Sequence, residues 1–209
     1  MKDLTFDKNR VINFSDAVFS IAMTLLVLEV GIPSVEAITT YDTWELLQSR
    51  IPNFIGFVVS FLVTALYWVS HLRSMKFVTT VDSKLLWLNI FLLLFIVLMP
   101  FSTGLYVGGF DFVGPFAFYC FNLSAIGIFN FLLIRYIIKQ EKDHPELTPN
   151  AIKWYKFTAL NALIIWILAG ILAFIFPLVA RMIFILIFII QFFINRNYRV
   201  KENRLIVNE

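Results

Sequence analysis

Four side chains in this sequence have the types and spacing to act together. Ser15 and Asp16 open one apolar stretch, and Trp68 and His71 close another. A carboxylate beside an imidazole can relay a proton. A hydroxyl, an indole N–H and an imidazole are equally the partners that a buried carboxylate needs. Three roles fit these residues: a hydrogen-bonded structural cluster, a proton relay, or boundary features, with Asp16 as a helix cap and Trp68 in an interfacial aromatic belt. Further along the first stretch, Ile21, Leu25 and Leu28 fall at i, i+4 and i+7, within about 60° of one another on a helix. Thr24 sits beside them, and Asp16 lies about 140° from the Ile21 line. The sequence has 2 histidines and 1 cysteine. His144 sits in a loop without a motif, and Cys120 alone can form neither an internal disulfide nor a thiolate metal cluster. No metal site, no cofactor and no enzymatic centre is expected.

The elements that carry these residues follow from composition. Of 209 residues, 60% are hydrophobic and 15% charged, and the mean hydropathy is +0.83. A soluble domain of this length has no core large enough for so much apolar surface. Soluble enzymes, nucleic-acid readers and disordered scaffolds are thereby excluded. A pI of about 9.0 rests on a net charge of only +3, placed at helix ends. The expected class is an all-α integral membrane protein, a single domain over residues 1–209. Residues 51–72, 85–110, 112–134 and 157–180 contain no Asp, Glu, Lys or Arg, and each is long enough to cross a hydrocarbon core of about 30 Å. After Arg181 the apolar run resumes, so a break is expected at Phe176–Pro177, with proline in the first turn of a sixth helix. The spans are predicted at 11–31, 51–73, 85–107, 112–138, 154–175 and 177–196.

Six spans place both ends of the sequence on one side, together with 15 of the 17 basic residues; Arg50 and Arg181 are left opposite. The positive-inside rule makes that side cytoplasmic. No small-x-small site follows Leu28, so the first helix is expected to be retained rather than cleaved. Residues 43–47 read as an amphipathic lead-in to the second span. Pro100 is positioned to interrupt the third. Asn89, Asn122, Asn130 and Asn161 read as interhelical hydrogen-bond glue, and Cys120 as a small buried hydrophobe.

The run Arg10-x-x-x-Phe14-Ser15-Asp16, continued by Ser20-Ile21-x-x-Thr24, resembles the first-helix signature of the transmembrane-protein-175 family of endosomal and lysosomal potassium channels. The likeness covers the whole six-span chain, in the single-copy form of the prokaryotic members. It implies a homotetramer with four first helices around a central pore. It further implies that Ile21 forms the narrowest constriction, with Leu25 and Leu28 further out, and that Thr24 supplies the hydroxyl layer linked to potassium preference. Arg10, Phe14, Ser15 and Asp16 then match the motif that packs the first helix on its neighbours, with Trp68 and His71 as partners.

A pore so lined has no Thr-Val-Gly-Tyr-Gly carbonyl filter. Branched aliphatic side chains close it by dewetting, and hydroxyls replace part of the hydration shell. The expected function is a leak-type, potassium-preferring cation channel of the plasma membrane. Potassium is its permeant ion, the lipid bilayer its surroundings, and nucleic acid is not a partner. Glu29 would draw cations to the outer mouth. The competing function is a proton-coupled secondary transporter using Asp16 and His71. Transporters of that kind carry paired inverted repeats, which this sequence does not display.

Overall fold

A computed structural model of the chain describes residues 5–183 and 185–207. Helix α1 (Lys8–Leu25) begins at Asp7, whose carboxylate accepts the Arg10 N–H at 2.8 Å. Asp7, not Asp16, therefore caps this helix. A 3₁₀ segment, Leu26–Val30, continues it and stops at Gly31, where φ is 70°, a conformation that favours glycine. Two short exposed helices follow, α2 (Val35–Thr40) and α3 (Thr43–Ser49). Helix α4 runs Ile51–Met75, α5 Ser83–Val97, α6 Met99–Gly108, α7 Val113–Gln140, α8 Pro149–Leu172, α9 Pro177–Met182 and α10 Ile185–Val207. Pro100 falls in the first turn of α6, so the third span is two helical pieces joined through Leu98.

Strand β1 (Thr5–Phe6) pairs antiparallel with β2 (Val81–Asp82), Thr5 opposite Asp82 and Phe6 opposite Val81. This ribbon ties the start of α1 to the α4–α5 turn. Asp82 also caps α5, accepting the Leu85 N–H at 2.8 Å, and its other oxygen accepts the Tyr136 hydroxyl from α7.

Among the described residues, five helical stretches are long and apolar enough to cross a bilayer: residues 8–30, 51–75, 83–108, 113–140 and 149–172. The sixth predicted span, 177–196, is divided between α9 and α10. The apolar part of α10 ends at Asn195, after which Arg196, Arg199 and Lys201 follow. That composition keeps α10 from qualifying as a crossing helix by itself.

Helix α7 is the centre of the molecule. Leu123, Ile126, Leu133 and Ile137 are among its buried residues. It meets α8 at small residues: a Cβ added to Gly127 would lie 3.2 Å from the Leu163 Cα, and one added to Gly170 would lie 3.2 Å from the Cys120 Cβ. In lipid, where tails are as apolar as the helix surface, such close backbone approach is a main source of helix association. Polar side chains join the helices as well. Asn122 donates to Ser102 at 3.1 Å, Ser70 donates to Asn130 at 3.3 Å, and Ser60 bonds Tyr119 at 3.0 Å and accepts from Thr103 at 2.9 Å. The Asn161 amide nitrogen is buried without a partner among the described residues.

Replacing Gly127 with leucine should push α8 off α7 and lower the thermal midpoint of detergent-solubilised protein, at a cost of about 1–3 kcal/mol. Gly114→Ala, at a position with nothing within 4 Å of an added Cβ, should leave the midpoint unchanged. Equal midpoints for the two variants would refute the close-approach account.

Candidate functional site

Helix α1 has three distinct faces. Val11, Ser15, Phe19 and Ala22, continued by Leu26, are buried against the other helices. Phe14, Ile21 and Leu25 lie on a second face and are exposed, Ile21 at 59%. Asp16 lies on a third, on the far side of the buried stripe from Ile21. The change to 3₁₀ geometry after Leu25 alters the wheel arithmetic for Leu28. At three residues per turn, i and i+3 eclipse, so Leu28 stands directly beyond Leu25 instead of offset from it. Leu28 is exposed at 67%. The apolar stripe therefore continues straight to the end of the helical run.

The buried stripe is fastened by a chain of hydrogen bonds through three helices. The Ser15 hydroxyl donates to the Val11 carbonyl at 2.8 Å and accepts from the Asn89 amide at 2.9 Å. Asn89 Oδ1 in turn meets His71 Nε2 at 2.9 Å. An amide oxygen only accepts, so His71 carries its proton on Nε2. Its buried Nδ1 has no partner among the described residues, which agrees with an unprotonated nitrogen. Phe19 packs on the imidazole with ring centroids 5.8 Å apart. The sequence pairs Trp68 and His71 with the Ser15–Asp16 pair; the structure divides them. Trp68 Nε1 donates to Asp16 at 2.9 Å, while His71 reaches Ser15 only through Asn89. Asn89 is the hub. Its signal in the sequence is that it is the lone amide in 83–97, an otherwise apolar helix.

Two further bonds tie α1 to α4. Lys8 Nζ donates to the Lys76 carbonyl at 3.3 Å, and Asn53 Nδ2 donates to the Glu29 carbonyl at 3.2 Å. Taken with Asp16–Trp68, they form an antiparallel ladder. From 16 to 29 the first helix uses 13 residues where α4, from 68 to 53, uses 15. The longer rise of the 3₁₀ segment accounts for the difference, giving about 21.5 Å on one side and about 22.5 Å on the other.

Thr24 is exposed beside the Ile21 stripe. Its hydroxyl donates to the Ile21 carbonyl at 2.8 Å, three residues back, which leaves the oxygen lone pairs facing outward. Arg10 and Phe14 are exposed at the base of the helix. Glu29 is turned toward the bundle: a Cβ on Gly104 would lie 1.7 Å from its Oε2, so this carboxylate rests on α6 where α6 has no side chain. Among the described residues no group of histidine, cysteine or carboxylate side chains is arranged to hold a metal ion.

The described arrangement is an α-helical bundle with a fastened first helix bearing one free apolar stripe, and the chain is similar in sequence and in overall fold to known proteins. Residues 10–100 match the family described as endosomal/lysosomal potassium channel TMEM175. A potassium channel of Chryseobacterium sp. (strain P1-3) is 31% identical over 174 residues, covering 83% of this chain and 86% of the relative. A potassium channel of Streptomyces collinus is 35% identical over 99 residues, 47% of each chain. The crystal structure of a lysosomal potassium-selective channel TMEM175 homolog from Chamaesiphon minutus superposes with a TM-score of 0.76 at 23% identity, over 91% of this chain and 97% of that one. The chain belongs to the TMEM175 family and is a multi-pass membrane protein.

Loss of the Asp16 acceptor strands a half-buried indole N–H at membrane depth, a cost of about 1–3 kcal/mol. Asp16→Ala should therefore lower the thermal midpoint in detergent and the yield of assembled protein. Asp16→Asn keeps an acceptor oxygen for Trp68 and should fall between Asp16→Ala and the wild type. A midpoint for Asp16→Ala equal to the wild type would mean that this bond contributes nothing to the fold.

Proposed function

We propose that this chain forms a leak-type, potassium-preferring cation channel in which four copies surround a pore lined by α1. The observation that carries the proposal is the free stripe of Ile21, Leu25 and Leu28. Hydrogen bonds and packing fix the rotation of α1, and the stripe they leave unpartnered is straight, aliphatic and uncharged. Brought together around an axis, such stripes form a hydrophobic constriction that closes by dewetting and opens when the helices separate slightly. Thr24 places a hydroxyl oxygen next to the constriction, where four copies offer partial coordination to a dehydrating cation in place of a carbonyl filter. Ser15, Asp16, Trp68 and His71 hold the helix, and Arg10 and Phe14 complete its base. Potassium is the permeant ion, and no cofactor takes part. The relatives named potassium channels support this reading.

The proposed setting is the plasma membrane, with the sixth crossing made by 177–196 and both ends of the sequence in the cytoplasm, the side that gathers 15 of the 17 basic residues. The transporter alternative needs Asp16 and His71 to exchange a proton. The separate engagement of Asp16 by Trp68 and of His71 by Asn89 favours a structural role for both.

Ile21→Asn wets the proposed constriction and should raise potassium flux several-fold in proteoliposomes or planar bilayers. Unchanged conductance and selectivity would remove Ile21 from the permeation path. Thr24→Ala should lower the potassium-over-sodium permeability ratio, read as a shifted reversal potential under bi-ionic conditions, while oligomer size on gel filtration stays the same. An unshifted reversal potential would reduce the hydroxyl to its backbone bond with Ile21.

A further inference from the structure

On the face of α4 turned away from α1, a groove of about 370 Å³ opens between α4, α7, α8 and α10. Its two ends differ in chemistry. At the basic end of the bundle the rim carries the exposed Arg73, whose guanidinium lies 5.5 Å from the Trp154 ring centroid, together with the hydrogen-bonded set Trp154–Asn195–Gln191–Thr158. Among the described residues no carboxylate pairs with Arg73; Glu146, on the neighbouring loop, is taken by Lys76. That ion pair and its hydrogen bond hold the Glu146 carboxyl below the usual carboxylate range, so it stays charged and paired near neutral pH.

The deep end is apolar apart from two atoms. The Tyr67 hydroxyl and the Trp166 indole N–H are buried, at 5% and 2% residue exposure, and neither has a hydrogen-bond partner of good geometry among the described residues. From Arg73 to Val63 the groove follows ten residues of α4, about 15 Å at 1.5 Å per residue, which is half of a hydrocarbon core of about 30 Å. The groove thus runs from the headgroup level to the bilayer midplane on one side. That length, with a cation at the polar end that no carboxylate pairs among the described residues and an apolar floor, matches a single leaflet's lipid.

We infer that the groove is a binding site for one anionic phospholipid per chain. Its phosphate sits on Arg73 beside Trp154, and one acyl chain lies along α4 toward Tyr67 and Trp166. A guanidinium is suited to this task because its planar fork meets two phosphate oxygens at once and is weakly hydrated. The site does not depend on which ion the protein conducts. It rests on the membrane location and on the groove alone.

Native mass spectrometry of the assembled, delipidated protein tests this without any flux measurement. Titration with dioleoylphosphatidylglycerol should give a saturable addition of one lipid per chain, with dioleoylphosphatidylcholine binding more weakly. Arg73→Gln should weaken phosphatidylglycerol about fivefold, whereas Arg135→Gln, which removes a charge from exposed α7 surface, should not. Ala162→Phe fills the apolar floor while sparing the rim and should also reduce binding. Glycerol 3-phosphate at the same concentrations should not compete. Equal binding of the two lipids, equal effects of Arg73→Gln and Arg135→Gln, or unchanged binding to Ala162→Phe would each overturn the inference. Competition by glycerol 3-phosphate would also overturn it, replacing the lipid site with a site for free phosphate esters. Should a variant fail to assemble, the comparison of the two lipids on the wild-type protein still decides.

Discussion

Everything about the first helix depends on the Asn89 carboxamide being held between two side chains on two other helices. Asn89 donates to Ser15 and accepts from His71, so α1, α4 and α5 meet at one amide. In water such bonds exchange with solvent at little net cost. Within a bilayer the groups have no such alternative, and leaving one unmade costs much of its desolvation. Turning α1 by one residue would carry Ser15 about 100° away from Asn89 and leave the Asn89 N–H without its acceptor. The rotation of α1 is therefore specified by polar bonds, while the area it buries is apolar. This division of labour is what lets an aliphatic stripe remain outside without making the helix's orientation ambiguous.

A second polar cluster, Ser60, Thr103 and Tyr119, joins α4, α6 and α7 nearer the other end of the bundle. Individual interhelical bonds in membranes are worth only about 0.6 kcal/mol on average, so these clusters act less through strength than through specificity. Close packing at Gly127 and Gly170 supplies the nonspecific attraction. Hydroxyls and amides, which tolerate few alternative registers, choose among the packings that attraction allows.

Much of this was legible from residue types. Long uncharged runs marked four of the spans, because the bilayer imposes a length and forbids isolated charge, and a helix long and apolar enough to cross lies over each of them. The sixth was less legible, since α9 and α10 share an apolar segment that ends at Arg196 and a hydropathy count does not reveal how it is divided. The wheel separated Asp16 from Ile21 because both lie within regular α-helix. It put Leu28 on the same stripe but offset from Leu25, by assuming α geometry through Gly31; the 3₁₀ segment from Leu26 sets it directly beyond Leu25 instead. The partner of Ser15 escaped for a different reason. Asn89 is 74 residues away, and depth within a membrane narrows the possible partners without choosing among them.

The three bonds from Lys8, Asp16 and Glu29 to α4 have a consequence for how α1 can move. They are spread along its whole length at nearly constant register, like rungs between two rails. Sliding one rail past the other by a helical turn, a displacement of about 5.4 Å, would break all three rungs at once, along with the strand pairing at Thr5 and Phe6. Bending α1 alone would strain the middle rung against the outer two. The displacement that leaves every rung intact is a tilt of α1 and α4 as one body. The exposed stripe of Ile21 and Leu25 then leans only as far as α4 leans, and the opposite side of α4 is the side that forms the groove bearing Arg73.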